Sequence, residues 1–130
     1  MNTSKSEKIT INMNAVDLGK VDLLTEEGFY ANRTDFIRTA IRNQLAKHED
    51  EVKQSVIRRE MIVGVLVHTK SGLEQRLEKN QKMRIRVVGI VIFEDDIDPD
   101  LVDATVESIK VHGILRANKA VKKILDTKST

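Results

Sequence analysis

Three side chains capable of reading nucleic-acid bases stand at every second position of the run Lys8-Ile9-Thr10-Ile11-Asn12-Met13-Asn14. Lys8 can donate to the O6/N7 edge of guanine, and Asn12 can pair bidentately with adenine. Thr10 can donate, accept or pack against the thymine methyl group. A second group of candidates follows at Asn32-Arg33-Thr34, where an Asn able to cap a helix would leave the next backbone N–H groups free to hold a phosphate. Arg33, Arg38, Arg42 and Lys47 add cations along that element, although Arg38 and Arg42, as i,i+4 neighbours, also suit a plain solvated face.

Local periodicity gives the elements that must position these groups. Strict alternation over residues 8–14 predicts a strand with Ile9, Ile11 and Met13 on one face and Lys8, Thr10 and Asn12 on the other. The period then changes. Asn14 as N-cap, Asp17 in the first turn, and Val16, Leu18, Val21 and Leu24 predict a helix that closes at Gly28. Asn32 as a second cap, with Asp35 at N3, predicts another helix carrying Phe36, Ile37, Ala40, Ile41 and Leu45. Residues 50–61 are charged and free of Pro and Gly, so either the second helix runs on or a polar connector follows.

One strand and two helices in about forty residues cannot close their own structure. The strand has no partner within the module, which leaves its backbone groups and apolar face open. Antiparallel pairing of two copies across a two-fold axis repairs both defects. Ile9, Ile11, Met13, Leu18, Val21, Phe36, Ile37 and Ile41 then form the expected dimer core, and Lys8, Thr10 and Asn12 of each chain face outward on a ribbon that fits the major groove.

The run KITINMN, the capped helix ending in Gly28, and the phrase YANRTDFIRTAIRNQL together resemble the ribbon-helix-helix repressors of the Arc/MetJ and CopG type. The resemblance covers about a third of the chain. It implies an intertwined β-α-α dimer that binds double-stranded DNA, with Lys8, Thr10 and Asn12 as base readers and Asn32, Arg33 and Thr34 as phosphate contacts. It also implies a cytoplasmic transcriptional regulator, not an enzyme, that is expected to act as a repressor.

Beyond this module, Ile62-Val63-Gly64-Val65-Leu66-Val67, Val87-Val88-Gly89-Ile90-Val91-Ile92 and Val111-His112-Gly113-Ile114-Leu115 repeat a phrase whose glycines are 25 and 24 residues apart. Each phrase reads as a short buried strand. Helical patterns follow the first two, around Leu73 and Leu77, then around Leu101, Val102, Val106 and Ile109. Such units favour parallel pairing, as a small α/β module or a very short solenoid. The expected fold is therefore α+β, with a ribbon-helix-helix domain over 1–52 and an α/β oligomerisation or regulatory domain over 53–130.

Composition excludes several other functions. The chain has 130 residues, 3% aromatics, no Trp and no Cys, so it lacks stacking platforms for single strands, disulfides and thiolate metal sites. His48, His68 and His112 are scattered, unlike the clustered ligands of the nickel-responsive repressors, which also join such a module to a regulatory domain. Asp96, Asp98, Asp100 and Glu107 have EF-hand-like spacing, but Leu101 replaces the required glycine; Asp98 as N-cap before Pro99 is the better account. No catalytic constellation is present, and no metal or cofactor is expected. The polar start and the lack of a long apolar run point to a cytoplasmic protein without a membrane segment.

The net charge of +2 hides strong segmentation: residues 51–90 hold 9 basic and 4 acidic side chains, 91–109 hold none and 7, and 110–130 hold 6 and 1. An acidic cluster should face away from phosphates, which assigns the second half to tetramer assembly or a protein partner. The alternative is an antitoxin-type or other interaction protein whose ribbon mainly dimerises it.

Overall fold

The computed structural model describes residues 5–130; residues 1–4, the start of the polar lead and of the expected 1–52 module, lie outside the described residues. Two compact units form, one from Lys8 to Ser55 and one built on Val56–Thr130, with the division inside a helix.

The first unit contains α1 (Ala15–Glu26), α2 (Arg33–Lys47) and the first part of α3 (Glu49–Arg58). The Asn14 side chain caps α1 by accepting from the Val16 and Asp17 amides. Phe29 N–H donates to the Leu24 carbonyl and Gly28 N–H to Thr25, which closes the helix with Gly28 at φ +88°. Asn32 caps α2 through the Asp35 amide at 2.8 Å. The Asp35 carboxylate reaches back to the Ala31 N–H at 2.9 Å, one residue beyond the cap amide of a full capping box. The chain does not continue α2 smoothly. His48 departs from helical geometry at φ −108° and ψ 16°, and α3 starts immediately after it.

Residues 8–14 form no β-ladder within the chain. The physical reason is the one anticipated: no strand in the same module is available to pair with them. Ile9 and Ile11 are 75% and 61% exposed, so the apolar half of the alternation has no cover in a single chain.

The second unit is β1 (Ile62–His68), α4 (Lys70–Glu78), β2 (Met83–Phe93), α5 (Pro99–Thr105), β3 (Val106–Arg116) and α6 (Lys119–Asp126). The strands form a parallel sheet in the order β1-β2-β3. Leu73, Val102, Val121 and Leu125 from the helices share one core with Met83, Ile85, Val87, Val91 and Phe93 from β2. Asp98 caps α5 at the Asp100 amide with Pro99 in the first turn.

Three expectations for this unit need correction. The β1 phrase is not buried: it is an edge strand whose Val63, Val65 and Val67 are exposed on the side away from the main core. Val106 and Ile109 do not extend the helix started by Leu101 and Val102, because the chain leaves α5 at Thr105 and enters β3 directly. The second and third strands are also not short, since each runs for eleven residues.

The repeated glycines have a common structural cause. Gly64 pairs with Gly89, and Gly89 with Gly113, so the three form a rung across the whole sheet. Their φ values are +140°, +141° and +129°, a region L side chains rarely adopt. A Cβ on Gly89 would lie 2.1 Å from the Gly64 carbonyl oxygen, and one on Gly113 would lie 2.1 Å from that of Gly89. Only glycine permits this approach.

Candidate nucleic-acid interface

Lys8, Thr10 and Asn12 are all exposed, and none makes a hydrogen bond to a side chain or an ion pair among the described residues. The alternating residues behind them are differently placed. Met13 is half-buried, whereas Ile9 and Ile11 are open. Of the remaining residues expected in the dimer core, Val21 is buried, Leu18, Phe36 and Ile37 are half-buried, and Ile41 is exposed. Val21 is the only buried residue in the unit from Lys8 to Ser55.

The start of α2 holds the other expected contacts. Asn32 spends its Oδ1 on the Asp35 amide, which leaves the backbone N–H groups of Arg33 and Thr34 directed out of the first turn without an intrahelical acceptor. Those two donors and the positive end of the helix dipole are the physical basis of an anion site there. The Arg33 side chain, by contrast, is already engaged: its Nε and Nη2 donate to Asp22 Oδ1 and Oδ2 at 2.8 and 2.9 Å. The guanidinium holds the Asp22 carboxyl below its usual range through this paired hydrogen bond, and Arg33 is raised in turn. Arg33 therefore ties α2 to α1, a role its position eleven residues from Asp22 does not reveal in the sequence. Tyr30 and Phe36 pack edge to face beside this corner, with ring centroids 4.9 Å apart.

Arg38 and Arg42 are exposed and make no ion pair among the described residues. No cluster of three or more His, Cys, Asp or Glu side chains able to hold a metal occurs among the described residues. No helix among them is long and apolar enough to cross a membrane.

The family model of the ribbon-helix-helix transcriptional regulators matches residues 4–122. The chain belongs to that family. The match extends well past the β-α-α phrase, so the parallel-sheet unit is part of what identifies this ribbon-helix-helix regulator. Regulators of this family bind DNA and dimerise. Neither the curated proteins nor the solved structures contain a match to the chain.

Proposed function

We propose that this regulator is a sequence-specific repressor that reads the major groove of double-stranded DNA with a two-stranded antiparallel ribbon, one strand from each protomer of a homodimer. The observation that carries this reading is the incompleteness of the first unit. With Val21 as its single buried residue, and Ile9, Ile11, Ile41 and Leu45 exposed, that unit lacks a core of its own. Burying each such side chain is worth roughly 1.5–3 kcal/mol, so a second copy supplies a driving force that the isolated unit lacks.

Pairing residues 8–14 of two protomers sends Ile9, Ile11 and Met13 inward and leaves Lys8, Thr10 and Asn12 of both chains on the groove side. The open amides of Arg33 and Thr34, beside the Asn32 cap, anchor phosphates and fix the register of the ribbon. The Arg33 side chain contributes less than its charge implies while Asp22 holds it.

The second unit takes the role of assembling dimers into a tetramer. Parallel sheets are normally covered on both faces, and here the helices pack on one. On the opposite face Val63, Val65 and Val67 of β1 are exposed, beside their register partners on β2, the half-buried Val88 and the buried Ile90 and Ile92. Basic Arg84, Arg86 and Lys110 lie toward the start of the strands, and acidic Glu94, Asp95 and Asp96 follow the end of β2. A second copy packed antiparallel on this face brings unlike charges together at both ends.

Titrating salt against binding to a preferred duplex and a scrambled one tests the DNA reading. Asn12→Ala should weaken the preferred duplex by roughly 10- to 100-fold more than the scrambled one, the loss of one bidentate base contact per protomer. Equal losses on both would remove Asn12 from base reading.

A further inference from the structure

Four cations from three segments of the second unit converge on one cavity of about 370 Å³, lined by Arg58, Arg59, Met61, Arg86, Lys110 and Thr130. We infer that this cavity is a binding site for a small phosphate-bearing anion of pyrophosphate type. The inference goes beyond the DNA-binding reading and does not depend on it.

The charge balance is the first reason. No Asp or Glu side chain lines the cavity, and none of Arg58, Arg59, Arg86 and Lys110 has a carboxylate within ion-pair distance among the described residues. Nearby cations of the same unit are neutralised: Arg84 pairs with Glu107 at 3.1 Å, Lys128 with Asp103 at 3.2 Å and Arg116 with Glu7 at 3.5 Å. Like charges gathered with no side-chain carboxylate among them repel one another, and a multiply charged anion reverses the sign of that interaction.

Placement is the second reason. Arg86 and Lys110 are register partners on adjacent strands, so their side chains leave the same face of the sheet. Both are half-buried, unlike freely solvated surface cations. Arg86 Nη1 donates to the Arg59 carbonyl at 3.2 Å, which orients the guanidinium toward the end of α3 and leaves its other N–H groups available. Arg58 and Arg59 sit at the C-terminal end of that helix, where the dipole favours cations. The helix ends tightly: Met61 N–H donates to Val56 and Glu60 N–H to Ile57, with Glu60 at φ +52°, so the turn carrying both arginines is fixed.

Shape and donor type select the ligand. The cavity lies at the lower end of the volumes of small-molecule sites, large enough for linked phosphates and concave, unlike the track of a duplex backbone. Three guanidinium forks match phosphate oxygens bidentately, and Lys110 adds a point charge.

Isothermal titration of pyrophosphate into the full chain tests the assignment, with sulfate at equal ionic strength as the control. Saturable binding at one pyrophosphate per protomer is expected. It should weaken at least tenfold in R86Q/K110Q and, separately, in R58Q/R59Q, which leaves the sheet untouched; circular dichroism should match the parent in both, and the salt slope for duplex binding should match it in R58Q/R59Q. Absence of saturable heat, equal binding of sulfate, or pyrophosphate binding unchanged in R58Q/R59Q would overturn the site. So would variants that weaken duplex binding alone, since the phosphates then belong to DNA.

Discussion

Replacing Gly89 by Ala, with Gly64→Ala as a matched control, separates two costs that the glycine rung combines. Both residues have φ near +140°, so each alanine meets the same backbone strain, about 1–3 kcal/mol. The added Cβ meets nothing within 4 Å at Gly64. At Gly89 it lies 2.1 Å from the Gly64 oxygen, and ordinary contact begins at 3.4 Å. Neighbouring rungs must therefore open, at roughly 0.5–1.5 kcal/mol for each ladder hydrogen bond lost. Two or three such bonds, with the strain, raise the cost of Gly89→Ala to about 4 kcal/mol or more, a large share of the 5–15 kcal/mol that holds a typical domain. Urea unfolding followed by circular dichroism, at one protein concentration throughout, measures the difference. Gly64→Ala should lower the midpoint modestly, and Gly89→Ala should lower it far more or prevent folding of the sheet unit. Equal midpoints would refute the argument that close strand approach fixes these glycines.

Further outcomes follow from the same geometry. Ile11→Lys places a charge in the expected ribbon core and should shift the chain in sedimentation equilibrium from tetramer toward the dimer that the sheet unit alone supports; an unchanged mass would exclude strand pairing as the ribbon contact. Asp22→Asn should release Arg33 with little loss of stability, as for other exposed pairs, and should steepen the salt dependence of duplex binding by roughly one phosphate contact. An unchanged slope would show that Arg33 does not reach DNA when freed. Burial, with a smaller contribution from the charge of Arg76, lowers the His68 pKa below its ordinary 6.5. The unfolded chain therefore binds the extra proton first, so stability should rise with pH through that window and fall as pH drops below 6.5. His68→Phe should flatten this dependence in thermal melts, and an unaltered slope would assign it to other groups.

The sequence revealed what depends on neighbours along the chain. Asn14, Asn32 and Asp98 are legible as caps because a short polar side chain before a helical pattern serves amides two or three residues on. The repeated glycine phrases are legible as strands through their β-branched residues. Their reason was not, since the contact between Gly89 and the Gly64 carbonyl exists only after two strands pair in register. Val106 and Ile109 fit a helical spacing as well as a strand, and sheet pairing decided between them. The exposure of β1 likewise reflects its edge position rather than its composition. At the candidate interface, the exposed Lys8, Thr10 and Asn12 follow from alternation, whereas the Arg33–Asp22 pair and the basic cavity join segments far apart in sequence.

Selection of bound sequences from a random duplex pool by the full-length protein tests the central claim most directly. The account predicts enrichment of one short motif in inverted repeat, its symmetry matching two strands that present Lys8, Thr10 and Asn12 across a two-fold axis. Enrichment of no sequence, or of a motif that Lys8, Thr10 and Asn12 can be replaced by alanine without altering, would contradict it.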